Sequence, residues 1–329
     1  MTLATASERV TETDRGAGDG RRIDVSVIVP VSGRVDDVAE LYRAYSEPLE
    51  RMGREFEFLF ILDGVGDGVA TRIDELARED PRIRAYAFVQ SFGEAAALRA
   101  GIEHAMGAVV VTLPSCFQVS PDGMRQVLQE LEEGDDVVVC YRSPRTDGIV
   151  NRLQHRAFHW LLRLLTGYSF KDLACGLRAM RREVASSLPL YSGLDRYLPA
   201  LAQLEGYSVR EIPVAQHPLD ARTRVYSPLE YFRQSLDLTA FFFMAKFTDN
   251  PLRFFGTVGS ALAIGGVAIG TVLAIQRLGG QGIANRPLLL LSVLLVALGV
   301  QIVSLGLIGE IIVYQRRPGR SLYRVRRIV

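Results

Sequence analysis

The chain has 329 residues, 48% of them hydrophobic, with 38 Lys plus Arg against 37 Asp plus Glu. That length allows one sizeable core plus a surplus of apolar residues, and a net charge of +1 gives no basis for nucleic acid as a partner. The three cysteines, Cys116, Cys140 and Cys175, lack zinc-like spacing and suit a reducing compartment.

Residues 1–22 are small, polar and glycine-bearing, which predicts a disordered leader without the apolar stretch of a signal peptide. From Ile23 the segment "IDVSVIVPV" starts an alternation of apolar strands and amphipathic helices. Further strands are predicted near 56–62, 83–89, 108–113 and 136–141, and helices near 35–52, 69–79, 93–106 and 121–133. Such alternation predicts an α/β fold with a mostly parallel sheet, its ligands beyond the carboxyl ends of the strands. Helical periodicity returns in "NRLQHRAFHWLLRLLTG", closed by Gly167.

Residues 227–250 combine scattered charge with Phe241, Phe242 and Phe243, predicting an amphipathic helix in a membrane interface; an ordinary surface helix is the plainer alternative. Within 251–315, the runs Phe254 to Ile275 and Pro287 to Tyr314 each reach the roughly 20 residues that cross a bilayer. A buried helical pair in a soluble protein is the competing reading. Gly256, Gly259, Gly265, Gly266 and Gly270 favour close helix packing in lipid, and Gln301 and Glu310 are expected to face a partner helix or sit near the interface. The tail, 316–329, carries Arg316, Arg317, Arg320, Arg324, Arg326 and Arg327, whereas the connecting hairpin has Arg277 and Arg286. By the positive-inside rule both ends of the chain are expected in the cytoplasm.

Two local patterns invite a binding role. "LDGVGDGVA", Leu62 to Ala70, lies between a strand and a helix, but it has neither G-x-G-x-x-G nor a following GKS or GKT. It reads better as a glycine-shaped turn that leaves Asp63 and Asp67 to meet a ligand than as a dinucleotide site. His155 and His159 stand four apart on a predicted helix, yet with no intervening glutamate motif and no clear third ligand they read as packing or interface polarity. No Ser/His/Asp or Cys/His nucleophile pattern is visible.

The ordered segments "VSVIVPV", "FLFILDGVGDG", "SFGEAAALRAGIEHAMGAVVVTL", "VVVCYR", "LLRLLTGYSFKDLACGLRAMRREV" and "NPLRFFG" resemble the family-2 glycosyltransferases. Within that family the chain is similar to membrane-anchored polyprenyl-phosphate sugar transferases of the dolichol-phosphate mannose synthase type, over about residues 23–329. The resemblance implies a GT-A-type nucleotide-sugar-binding domain over 23–226, then the interfacial helix and the two-helix transmembrane hairpin. It implies a nucleotide-sugar donor, a polyprenyl-phosphate acceptor and a lipid bilayer as partners, with a second copy of the chain as a candidate contact of the hairpin. The family holds magnesium or manganese on an Asp-x-Asp loop, with a glutamine two residues later.

Here Pro114 and Cys116 stand at the two aspartate positions and Gln118 at the glutamine position. Proline offers no ligand atom and a thiol is too soft for these ions, so the expectation is no metal at the usual place. Ser32, Gly33 and Arg34 replace the family's Asn-Glu-Glu, and of the late Arg-x-x-Gly-x-Ser-Lys-Tyr, read here as Leu219 to Tyr226, only Tyr226 remains. By resemblance, Asp63, Asp67, Gln118 and Arg142 are carried over as nucleotide-sugar-binding residues, and Asp172, Arg178 and Arg142 as catalytic ones. Arg142, Arg145 and Arg222 or Arg224 are candidates to neutralise a diphosphate without metal, with solvated or lipid-facing charge as the alternative. Two functions stay open: a transferase with an altered donor site, and a catalytically silent paralogue that serves as a membrane scaffold or regulatory subunit. A membrane-anchored oxidoreductase has only the glycine turn behind it.

Overall fold

The structure is a computed structural model that describes residues 22–144, 170–190, 193, 195–221, 251–279 and 287–315. The predicted leader, the helix containing His155 and His159, the interfacial helix, the hairpin loop and the basic tail lie outside the described residues, as do Arg145, Arg222 and Arg224. The chain divides into two compact units, one up to Leu238 and one from Thr239.

In the first unit, β1 (Val25–Val31), β2 (Phe56–Leu62), β3 (Ile83–Ala87), β4 (Val109–Thr112), β5 (Val137–Arg142), β6 (Arg178–Arg181) and β7 (Val209–Val214) form one sheet in the order β3-β2-β1-β4-β6-β5-β7. All neighbouring pairs are parallel except those made by β6, which runs antiparallel to both β4 and β5. Helices α1 (Val38–Arg51), α2 (Asp67–Glu79), α3 (Glu94–His104) and α4 (Asp122–Glu132) connect the first five strands. They match the predicted elements to within three residues at every end. Two short helices, α5 (Arg182–Ser187) and α6 (Leu198–Leu204), follow β6.

The strands β1 and β2 are buried at every position, as expected of parallel strands covered on both faces. Alternate residues serve different layers. Val25, Val27, Val29 and Val31 join Phe56, Phe58 and Phe60, with Leu41, Tyr45 and Leu49 of α1, in one core. On the other face Ile28 meets α3, where a side-chain carbon added at Gly101 would lie 2.3 Å from the Ile28 Cγ2. Asp37 ends the loop after β1 by accepting from Ala39 N and Glu40 N at 2.8 and 3.0 Å. These backbone donors hold its carboxyl below the usual range and fix where α1 begins.

In the second unit, α7 (Pro251–Leu278) and α8 (Pro287–Gln315) are long and apolar enough to cross a membrane. Ile264 is 69% and Leu290 75% exposed, which favours a lipid environment over the buried pair of a soluble core. The helices pack antiparallel along a seam of small residues. A carbon added at Gly259 would lie 2.6 Å from the Gly299 carbonyl oxygen, and one at Gly266 would lie 2.7 Å from that of Ser292. Further along, Gly306 meets Leu252 and Phe255. Glu310 faces the partner helix, as expected, and accepts from Leu252 N at 3.3 Å in the open first turn of α7.

Candidate functional site

The strand order reverses between β1 and β4, so the loops leaving their carboxyl ends border the crevice where open α/β sheets bind ligands. These loops are tied together. Asp36 N donates to Ser115 O at 3.0 Å, Ser115 Oγ to Arg34 O at 2.9 Å, and Phe117 N to the Asp36 carboxylate at 3.0 Å. Arg34 pairs with Asp36 through Nε and Nη2 at 3.1 and 3.0 Å. The same Nη2 reaches Leu219 O at 3.2 Å.

The loop after β4 is packed rather than open to an ion. Pro114 lies against Gly176, where an added side-chain carbon would be 3.0–3.1 Å from the proline ring. Cys116 is 4% exposed. Gln118, 9% exposed, accepts from Gly176 N at 2.8 Å through Oε1, while its carbonyl accepts from His217 N at 3.0 Å. The His217 ring stacks on Phe117 at 4.5 Å. Gln118 therefore stitches the loop to two neighbouring segments.

Among the described residues no group of three or more His, Cys, Asp or Glu side chains is arranged to hold a metal ion. The nearby Asp36 is shared between Arg34 and Phe117 N, and Asp122, at the start of α4, is taken by Arg125 and Gln126. Those contacts, Arg125 first, lower the Asp122 carboxyl below its usual range. The donor set of this loop does not fit a hard divalent cation.

Arg142, the last residue of β5, forms the most buried ion pairs of the site. It grips Asp172 through Nε and Nη2 at 2.7 and 3.0 Å, and its Nη1 meets Asp220 at 2.9 Å. Gln216 Nε2 also donates to Asp220 at 2.7 Å. Asp172 and Asp220 come from segments 30 and 78 residues along the chain from Arg142. Burial opposes the guanidinium charge, but the two carboxylates outweigh it and hold the Arg142 pKa above its ordinary value.

The other expected residues have separate places. Asp63, just beyond β2 and 4% exposed, accepts from Ser91 Oγ, Phe92 N and Gly93 N at 3.1, 2.6 and 2.9 Å. It organises the loop that enters α3, so its carboxylate is already engaged. Gly64 beside it has φ +68° and approaches Ser91 so closely that an added carbon would lie 2.9 Å from the Ser91 Cβ, which explains the glycine in this turn. Asp67 is exposed in the first turn of α2.

Arg178 is buried in β6 and spends its three donor nitrogens on the carbonyls of Cys175, Asp195 and Leu173 at 3.0, 2.7 and 3.0 Å. Burial lowers its pKa. It pins the turn that presents Asp172, and Arg142 and Asp172 are thus brought together while Arg178 acts through the backbone. Asp36 and Asp220 were missed as site residues, because no sequence spacing links them to the loops they join.

The pattern describing glycosyl transferase family 2 matches residues 26–188. Over 310 residues the chain is 30% identical to an undecaprenyl-phosphate 4-deoxy-4-formamido-L-arabinose transferase of Klebsiella pneumoniae strain 342, covering 93% of each protein. Among solved structures, glucosyl-3-phosphoglycerate synthase of Mycobacterium tuberculosis with bound uridine diphosphate aligns at a TM-score of 0.52 and 18% identity. That alignment covers 68% of this chain and 80% of the synthase, and it shows a shared fold.

Proposed function

The chain belongs to glycosyl transferase family 2, and from that premise we propose that it transfers a sugar from a nucleotide-sugar to a polyprenyl phosphate at a membrane, without a divalent ion in the loop after β4. The observation that carries this reading is a polar frame around a loop without carboxylates. Gln118 braces Gly176 and Arg142 grips Asp172, while Pro114 and Cys116 stand where the resemblance places the metal ligands. The Klebsiella relative, named for a polyprenyl-phosphate acceptor, supports the acceptor class.

In the proposed transfer an acceptor phosphate oxygen forms a bond to the sugar's anomeric carbon as the bond from that carbon to the donor diphosphate breaks. The nucleoside diphosphate leaves with the electron pair. The acceptor is already anionic, so no general base is required, and the harder task is to meet the charge on the leaving group. We assign that task to Arg142, which ends β5 beside the loops after β4. Its Nη1 contact with Asp220 is a single bond, whereas Asp172 holds the guanidinium by two, so a diphosphate oxygen competes for Nη1 first. Asp172 then serves to position Arg142, and Arg178 to position Asp172.

A silent scaffold is the second reading. It is favoured by the pairing of Arg34 and Arg142 with Asp36, Asp172 and Asp220, which leaves both guanidiniums neutralised. The discriminating experiment places the full chain in liposomes with a polyprenyl phosphate, a panel of radiolabelled nucleotide-sugars and a chelator. Lipid-linked sugar is the expected product. Donor binding with no lipid-linked product across the panel contradicts the transferase and supports the scaffold.

For the membrane unit, we propose two spans with both ends cytoplasmic, supported by six arginines at 316–327 against Arg277 and Arg286 around the hairpin loop. The hairpin also offers a surface for a second copy. A cysteine placed at Gln281 is expected to react with impermeant reagents from the outer side, and labelling from the cytoplasmic side alone overturns the topology.

A further inference from the structure

Besides two serines whose hydroxyls bond within the helix, Gln301 and Glu310 interrupt the apolar run of α8. Glu310 is used within the hairpin, where it caps the first turn of α7. Gln301 is not: its side chain is exposed and makes no hydrogen bond to a described residue.

The position is the middle of the helix, because Pro287 and Gln315 each lie 14 residues away (301 − 287 and 315 − 301). At about 1.5 Å per residue each end is roughly 21 Å distant, so in a bilayer whose hydrocarbon half-thickness is ~15 Å the amide cannot reach the headgroups. Direction matters as much as depth. The seam against α7 runs through Ser292, Gly299 and Gly306, and a rotation of about 100° per residue places these roughly 140–180° around the helix from Gln301. The amide thus points away from α7, and where the hairpin spans a bilayer that direction leads into lipid, which can neither donate to it nor accept from it.

We propose that two copies of the chain associate through this outer face of α8, with their Gln301 amides hydrogen-bonded to each other at the bilayer midplane. A carboxamide carries both donor and acceptor, so each Nε2 can donate to the partner's Oε1 and receive the same in return. A two-fold axis along the membrane normal brings the two amides to the same depth, because both copies enter the membrane the same way. Ala297 and Ser304, one turn to either side on the same face, are small enough to let the backbones approach. The Ser304 hydroxyl is bonded to Val300 O in its own helix at 2.9 Å and so brings no unmet demand to the contact. Leu294, Leu305 and Ile308 flank them, 61%, 55% and 53% exposed, and supply the apolar packing.

The proposal rests on the hairpin spanning a bilayer, and not on transferase activity. It is tested with the fluorescently labelled full chain in liposomes at falling protein-to-lipid ratio, with dimers counted by stepwise photobleaching. Gln301→Leu is expected to weaken association about tenfold, as for the loss of an interhelical hydrogen bond, while Gln301→Asn keeps most of it. Cysteines at Ala297 and at Ser304 should cross-link between copies on oxidation, and one at Val300, exposed about a quarter-turn away, should not. Undiminished association of Gln301→Leu, or equal cross-linking from Val300, overturns the proposal. So does a natural chain that stays in the membrane yet remains monomeric at every ratio, which would assign the face to a different protein. A chain that washes out of membranes in alkaline carbonate refutes the spanning hairpin itself.

Discussion

Arg142→Ala is expected to lower the stability of the folded chain by about 3–5 kcal/mol, the cost of breaking a buried ion pair from one side. The side chains involved are nearly dry: Arg142 is 10% exposed, Asp172 1% and Asp220 6%. Removing the guanidinium leaves two like-charged carboxylates close together with little water to screen them. Arg142→Lys restores the charge but not the two-pronged grip on Asp172, so it should recover only part of the loss. Urea unfolding of the three proteins in one detergent measures the difference. A loss below about 1 kcal/mol for Arg142→Ala, the range of a surface pair, would mean that the cluster does not hold β5 to the segments carrying Asp172 and Asp220.

The double variant Pro114→Asp with Cys116→Asp should respond to manganese where the natural chain does not. Position 116 is 4% exposed, so a carboxylate placed there without a counter-charge is costly, and the metal-free variant should unfold more readily than the natural protein. Position 114 packs on Gly176, and loss of the proline ring frees that contact for a second carboxylate. Manganese supplies the missing charge and prefers oxygen ligands. At about 100 times its dissociation constant it would stabilise the variant by about 2.7 kcal/mol through linkage alone. Thermal unfolding with manganese and with chelator reads both effects. A variant that folds but unfolds at the same temperature in both conditions would show that the loop has moved away from the geometry of a metal site.

Much of this architecture was legible in the sequence because its elements are strongly patterned. The strands β1 and β2 are continuous apolar runs, and α1 and α4 carry apolar residues at helical spacing that end against the sheet. β6 and β7 were not legible. "RAMR" is four residues with an arginine at each end, and the buried one, Arg178, is satisfied by the carbonyls of Leu173, Cys175 and Asp195. "VREIPV" contains Pro213, which argues against a central strand and is tolerated here because β7 lies at the sheet edge.

The site was legible in part. The absence of carboxylates at 114 and 116 can be read directly, and the resemblance singles out Arg142 and Asp172, although not as partners of one another. The engagement of Asp63 with Ser91, Phe92 and Gly93, and the arrival of Asp220 at Arg142, depend on how distant loops fold together. No local pattern encodes them.

The most direct test of a donor site without metal is calorimetric titration of the natural full chain with nucleotide-sugars, once in manganese and once in chelator. The donor that binds should do so with the same affinity in both, because Pro114 and Cys116 offer the ion no ligands. Binding that appears only with manganese would contradict the account and direct attention to another carboxylate near the loop, Asp122 first, released from Arg125 and Gln126 to ligate the ion.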